Sequence, residues 1–163
     1  MSGGCQTGGM PELKDRIQHD LTDAMRARDE LTSSTVRMAL TAIKAEEVSG
    51  ATARELSDDE VVTVLAREAK KRREAATAYE DADRPDRAER ERAELGVLMR
   101  YLPTQLDDAQ LASIIDAAVA EVASAGATGM AAMGRVMKLV QPQTAGKADG
   151  GKVAAAVRAR LSS

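Results

Sequence analysis

SDDEVVTVLAREAKKRREAATAYED, residues 57–81, decides the fold. Ser57 followed three residues later by Glu60 is the capping-box pattern, in which each side chain satisfies the other residue's backbone N–H. Beyond it Val61, Leu65, Ala69, Ala76 and Tyr79 recur at helical spacing and form one apolar stripe. The pattern predicts a long helix from this cap to about Asp81.

The same reading extends in both directions. Leu13, Ile17, Leu21 and Met25 recur every four residues, with Pro11 suited to a first helical turn, so a first helix is expected to end near Asp29. Val36, Leu40 and Ile43, between Ser33 or Ser34 as N-cap and Gly50 as stop, predict a second helix over about 34–48. After the break at Arg84 and Pro85, residues 86–102 resume the period with Leu95, Leu98, Met99 and Leu102 inward, and Pro103 ends it. Asp107 and Gln110 repeat the capping box before Leu111, Ile114, Ile115, Val119 and Val122, and Gly126 supplies a stop. A short helix over about 130–140, a loop from Pro142 to Asp149 and a last helix over about 151–161 complete the chain.

The expected fold is all-α. It comprises a disordered leader over 1–10, an N-terminal helical bundle over 11–102 and a smaller C-terminal helical subdomain over 103–163, with Leu102–Gln105 as the boundary. The leader is rich in Gly and Ser, and Met10 is a natural alternative start. Composition agrees: Phe and Trp are absent and only Tyr79 and Tyr101 are aromatic, so strands lack their usual material. The core must be Leu, Ile, Val, Met and close-packed Ala, and 163 residues suffice to bury one without metal or disulfide.

The lone Cys5 cannot form an internal disulfide, which fits a reducing compartment, read here as the cytoplasm. No uninterrupted apolar run approaches the roughly 18 residues of a membrane span, and the first residues lack a secretory pattern, so a soluble protein without membrane partners is expected. No Walker pattern, Ser/His/Asp set or zinc-spaced Cys/His cluster is present, so no catalytic residue, metal ligand or cofactor is assigned. His19 stands with Asp15 and Asp23 four residues away on either side. Three side chains in a column along one helix converge poorly on an ion, and simple i,i+4 pairing accounts for the spacing.

Charge is distributed unevenly beneath a net of −3. Residues 103–127 hold four acids and no bases, whereas 128–163 hold Arg135, Lys138, Lys147, Lys152, Arg158 and Arg160 against the single acid Asp149. These bases fall on two short helices and the Gly-bearing loop between them, an arrangement able to meet phosphates. Gly134, Gly146, Gly150 and Gly151 allow close backbone approach, and the last helix's start offers free N–H groups. A solvated helix face with packing glycines fits the same residues, and spacing alone leaves both readings open. The other basic run, Arg67–Arg73, is interleaved with Glu68 and Glu74 and faces the acid-rich stretch 80–94, which favours pairing within the chain.

Several blocks carry a family resemblance. LKDRIQHDLTDAM at 13–25, VRMALTAIKAEE at 36–47, KKRREAATAYEDADR at 70–84, AELGVLMRYLPTQL at 93–106 and MGRVMKLVQPQTAGKADGGKVAAAVRARL at 133–161 together resemble the stand-alone YqeY-like proteins of the GatB/YqeY superfamily over residues 11–163. One departure is Asp83, where family members often carry Gly. The resemblance implies two helical parts, the second similar to the tRNA-contacting tail of the B subunit of aspartyl/glutamyl-tRNA amidotransferase, a glutamine-dependent carbon-nitrogen ligase. Motifs of its glutaminase and kinase domains are absent, and Cys5 sits outside the helical blocks.

Three functions follow as expectations. The first is a non-catalytic module binding tRNA or another folded RNA through Arg135, Lys138, Lys147, Lys152 and Arg158, by shape and phosphate charge. The second is an interaction accessory of an amidotransferase or tRNA-charging enzyme. The third is a component of glutamine-dependent amide transfer itself, which lacks a readable nucleophile and oxyanion site.

Overall fold

The computed structural model describes residues 12–163. The leader at 1–10, Cys5 and the Pro11 helix start lie outside these residues. Seven α-helices and one 3-10 turn form the described chain, with no strand among the described residues: α1 (Glu12–Arg26), α2 (Glu30–Glu47), α3 (Asp58–Asp81), α4 (Pro85–Met99), α5 (Asp108–Ser124), the turn Gly129–Ala132, α6 (Met133–Thr144) and α7 (Gly150–Leu161). No single helix here is long and apolar enough to cross a membrane. The chain divides between Leu102 and Pro103 into two compact units.

In the first unit α3 is the frame, as its cap dictates. Ser57 and Glu60 form the reciprocal capping box, and Val61, Leu65 and Ala69 are fully buried. With Ile17 of α1, Val36, Ala39 and Ile43 of α2, Leu56, and Val97, Leu98 and Tyr101 at the end of α4, they make the unit's core. α3 and α4 pack as one hairpin and α1 and α2 as another. Burying aliphatic side chains of this size contributes about 1.5–3 kcal/mol each.

Helix ends depart from the sequence expectation in informative ways. α2 begins at Glu30, not near 34, because Asp29 is its N-cap: its Oδ1 accepts the Thr32 N–H at 3.0 Å and its Oδ2 the Thr32 hydroxyl at 2.7 Å. Ser33 and Ser34 lie inside the helix, their hydroxyls bonded back to the Asp29 and Leu31 carbonyls. Met25 is 54% exposed, and Ala24 takes the buried position beside it. Pro142 does not end α6 but sits in its last turn, where the missing N–H costs only one intrahelical bond. There the Gln143 side-chain amide bonds the Leu139 carbonyl at 3.0 Å and the Thr144 hydroxyl bonds the Val140 carbonyl at 3.1 Å.

Three helices close with the same double bond pattern, which needs a left-handed residue just past the helix. α5 uses Gly126, at φ 94, as its sequence suggests. α1 and α3 use Arg28 (φ 56) and Asp83 (φ 57) instead. The Asp29 N–H reaches the Ala24 carbonyl at 2.9 Å, and the Arg84 N–H reaches the Tyr79 carbonyl at 2.7 Å. The turn at Asp83 thus keeps the backbone shape that favours Gly.

The second unit folds around its own cluster of Leu111, Ile115, Ala118 and Val122 of α5, Val136 and Val140 of α6, and Val153 and Val157 of α7. Asp107 and Gln110 close the capping box of α5.

Candidate nucleic-acid interface

The basic side chains of the second unit are placed by the apolar stripes beneath them. On α6, Val136 and Val140 are fully buried, which turns Arg135 and Lys138 outward; at about 100° per residue the two lie about 60° apart on one exposed face. Lys147 is exposed on the loop from α6 to α7. That loop is pinned: the Lys147 carbonyl accepts the Leu106 N–H at 2.8 Å, and the Gln105 side-chain amide donates to the Gly146 carbonyl at 2.8 Å. Gly146, at φ 72, takes the left-handed conformation the bend requires. Asp149 then caps α7, its Oδ1 accepting the Gly151 N–H at 3.3 Å.

On α7 the cations separate into two groups. Lys152 Nζ lies 2.5 Å from Asp108 Oδ1, and Arg160 Nε lies 2.7 Å from Asp116 Oδ1. The acids are eight residues apart on α5 and the bases eight apart on α7, so the two rungs show α5 and α7 running side by side in the same sense. The hydrogen bond and charge of Lys152 hold the Asp108 carboxyl below its usual range. Arg158 projects from the other side of α7, about 160° around from Arg160.

Of the five candidate contacts, Arg135, Lys138, Lys147 and Arg158 are exposed and make no ion pair among the described residues. Lys152 is engaged with Asp108. The acids that neutralise Lys152 and Arg160, Asp108 and Asp116, carry no local sequence signal of that role. Their signal is the shared eight-residue spacing, which becomes legible only once α5 and α7 are known to be neighbours.

Several charges of the first unit pair within it, while Arg26, Arg28, Arg37, Lys44, Arg87 and Arg100 are exposed and make no ion pair among the described residues. Arg72 is a hub: Nη1 lies 3.4 Å from Glu91 Oε2, Nε 3.5 Å from Glu94 Oε2 and Nη2 3.8 Å from Glu68 Oε2. Arg90 and Lys71 hold Glu94 and Glu68 from outside at 3.1 and 2.9 Å. Lys14 of α1 grips the buried Glu47 at 2.8 Å. His19 lies 3.6 Å from Asp23 in an exposed pair, and no group of metal-ligating side chains converges among the described residues. A shallow depression of about 370 Å³ between α2 and α3, over Ala42, Ala45 and Val64, is rimmed by Glu46 and Arg67, themselves paired at 3.2 Å.

The family model of Yqey-like proteins matches residues 14–161, nearly all of the described chain. The chain belongs to the Yqey-like family. A relative in Schizosaccharomyces pombe, an uncharacterized protein, is 30% identical over 95 residues, covering 58% of this chain and 75% of that protein. Another, "altered inheritance of mitochondria protein 41, mitochondrial" of Meyerozyma guilliermondii, is 31% identical over 86 residues, covering 53% of this chain and 44% of its own length. The Yqey-like match crosses both compact units and includes every residue of the basic surface.

Proposed function

We propose that this Yqey-like protein is a non-catalytic accessory of tRNA metabolism whose second unit holds the phosphate backbone of a folded RNA, tRNA foremost. The observation that carries the reading is the split between neutralised and free cations: Arg135, Lys138, Lys147 and Arg158 stand exposed without an ion pair among the described residues, while the neighbouring bases are matched by α5 carboxylates. Exposed cations left unmatched within one small helical unit are what counterion release rewards. Both tyrosines lie in the first unit, so residues 103–163 contain no aromatic side chain on which a base could stack. Recognition therefore rests on phosphate position and RNA shape, and unrelated tRNAs should bind within a fewfold of one another.

The test is a titration of purified protein with tRNA transcripts at low and moderate salt, beside the variant Arg135→Ala/Lys138→Ala/Lys147→Ala/Arg158→Ala. Salt-sensitive binding that the variant loses, with its helical circular-dichroism spectrum intact, supports the reading. Absence of binding by the unaltered protein would replace it with the interaction-accessory reading, and partner capture from amidotransferase or tRNA-charging enzymes would follow.

A further inference from the structure

The α5–α7 ladder bears on how the basic surface is controlled. Asp108–Lys152 and Asp116–Arg160 are both exposed pairs spanning helices, with side chains half or more open to solvent. Pairs of this kind are weak, so a stronger anion can exchange with the carboxylate. Lys152 is exposed in the first turn of α7, five residues from Lys147. A lysine side chain there can swing from α5 toward a phosphate bound at the loop without moving the backbone.

We propose that Asp108 and Asp116 act as an internal counter-anion, holding Lys152 and Arg160 off the phosphate-binding surface until a polyanion displaces them. This rests on the RNA-binding reading and adds its regulation. When only dilute or weakly charged anions are present, the ladder withholds Lys152, beside the loop, and Arg160, on the side of α7 away from Arg158. It returns them to a ligand carrying enough phosphates to outcompete two carboxylates. A polyphosphate backbone is thereby favoured over single phosphates and free nucleotides. The depressed titration of Asp108 is consistent with its carboxylate being held by Lys152, and that hold is what a bound polyanion relaxes.

The experiment is a cycle of tRNA affinities at low salt for the unaltered protein, Asp108→Asn/Asp116→Asn, Lys152→Ala/Arg160→Ala and the fourfold combination. The Asn pair should bind roughly 2- to 30-fold more tightly, the range two exposed pairs allow. Its plot of log affinity against log salt should keep nearly the slope of the unaltered protein, because both complexes engage the same cations and only the competing carboxylates are gone. In the Lys152→Ala/Arg160→Ala background the same Asn substitutions should give no gain. An equal gain in that background would overturn the proposal, because removed negative charge alone would account for it. Unaltered protein that binds tRNA beside an Asn variant that binds no better would overturn the ladder's role and leave the RNA reading standing. Failure of every form to bind would remove both.

Discussion

Replacing Arg72 with Met should be the most damaging single change to the first unit that leaves its apolar core intact. Arg72 is 19% exposed and the three glutamates it holds, Glu68, Glu91 and Glu94, are 13, 15 and 11% exposed. Removing the central cation leaves three largely enclosed carboxylates with only the more exposed Arg90 and Lys71 as partners. Breaking a fully buried pair from one side costs about 3–5 kcal/mol. Residual solvent access lowers this, and about 2–3 kcal/mol is the working figure. For a unit of about 90 residues, that lowers the melting temperature by roughly 8–20 °C. Glu91→Gln should cost under about 1 kcal/mol, because Arg72 keeps two carboxylates and no charge is stranded. Urea unfolding followed by circular dichroism measures both. Met at 72 within 0.5 kcal/mol of the unaltered protein, or Gln at 91 as costly as Met at 72, would refute the hub.

Further outcomes follow from the helix ends and caps. Arg28→Gly should stabilise by about 0.5–1 kcal/mol, since it removes a left-handed cost of about 1–2 kcal/mol at φ 56 and returns about 0.5–1 in chain entropy; a lower urea midpoint would contradict this. Asp83→Gly should act in the same direction but less, because Asp tolerates this conformation better than Arg. The Arg54 side chain, hydrogen-bonded to Glu60, is the main reason the Glu60 carboxyl is held down at about 2, with the Ser57 cap adding to it. A lowered folded-state value contributes stability above the usual 4.5 that is lost as pH falls toward 2. Glu60→Gln should therefore flatten the acid limb of the stability–pH curve between those values. Tyr101 donates its phenol to Asp20 at 2.7 Å. Tyr101→Phe should cost about 1–2 kcal/mol, read from the same unfolding curves. Burial first, and Asp20 second, push its ionisation upward, so ultraviolet titration should find this phenol still protonated beyond the ordinary tyrosine range.

The helices that sequence placed best are those whose start and stop are both local. Ser57/Glu60 and Asp107/Gln110 satisfy each other's backbone within four residues, so α3 and α5 begin where the pattern says. Gly126 ends α5 for an equally local reason. The misplaced ends are set by competition that spacing does not reveal. Asp29 outbids Ser33 and Ser34 as a cap because the turn at Arg28 closes α1 immediately before it and leaves its carboxylate facing Thr32. Arg28 itself gives no sequence signal for a left-handed turn. Pro142 fits inside α6 because its position is the last turn, a distinction the sequence cannot make until the end of that helix is fixed by Thr144 and Lys147.

The basic surface shows the same division. Its candidate members could be named from charge alone, whereas their outward placement on α6 comes from the structure, in which Val136 and Val140 define the buried side. The subtraction of Lys152 and Arg160 was not legible in the sequence, because their partners lie 44 residues away across a helix pairing that no local pattern announces. The Arg72 hub lies between these cases: charge alternation indicated pairing within the chain, but not that one guanidinium would serve three carboxylates from two helices.

The most direct test of the central claim is the slope of log affinity against log salt for tRNA binding by the unaltered protein. The four unpaired cations alone, each neutralising one phosphate, give a slope of about −2.8 to −3.6, steepening to about −4.2 to −5.4 with the two that the ladder releases, and the Arg135→Ala/Lys138→Ala/Lys147→Ala/Arg158→Ala variant should bind far more weakly with a much shallower slope. A slope near zero, or binding that survives loss of the four side chains undiminished, would contradict the assignment of this surface to RNA.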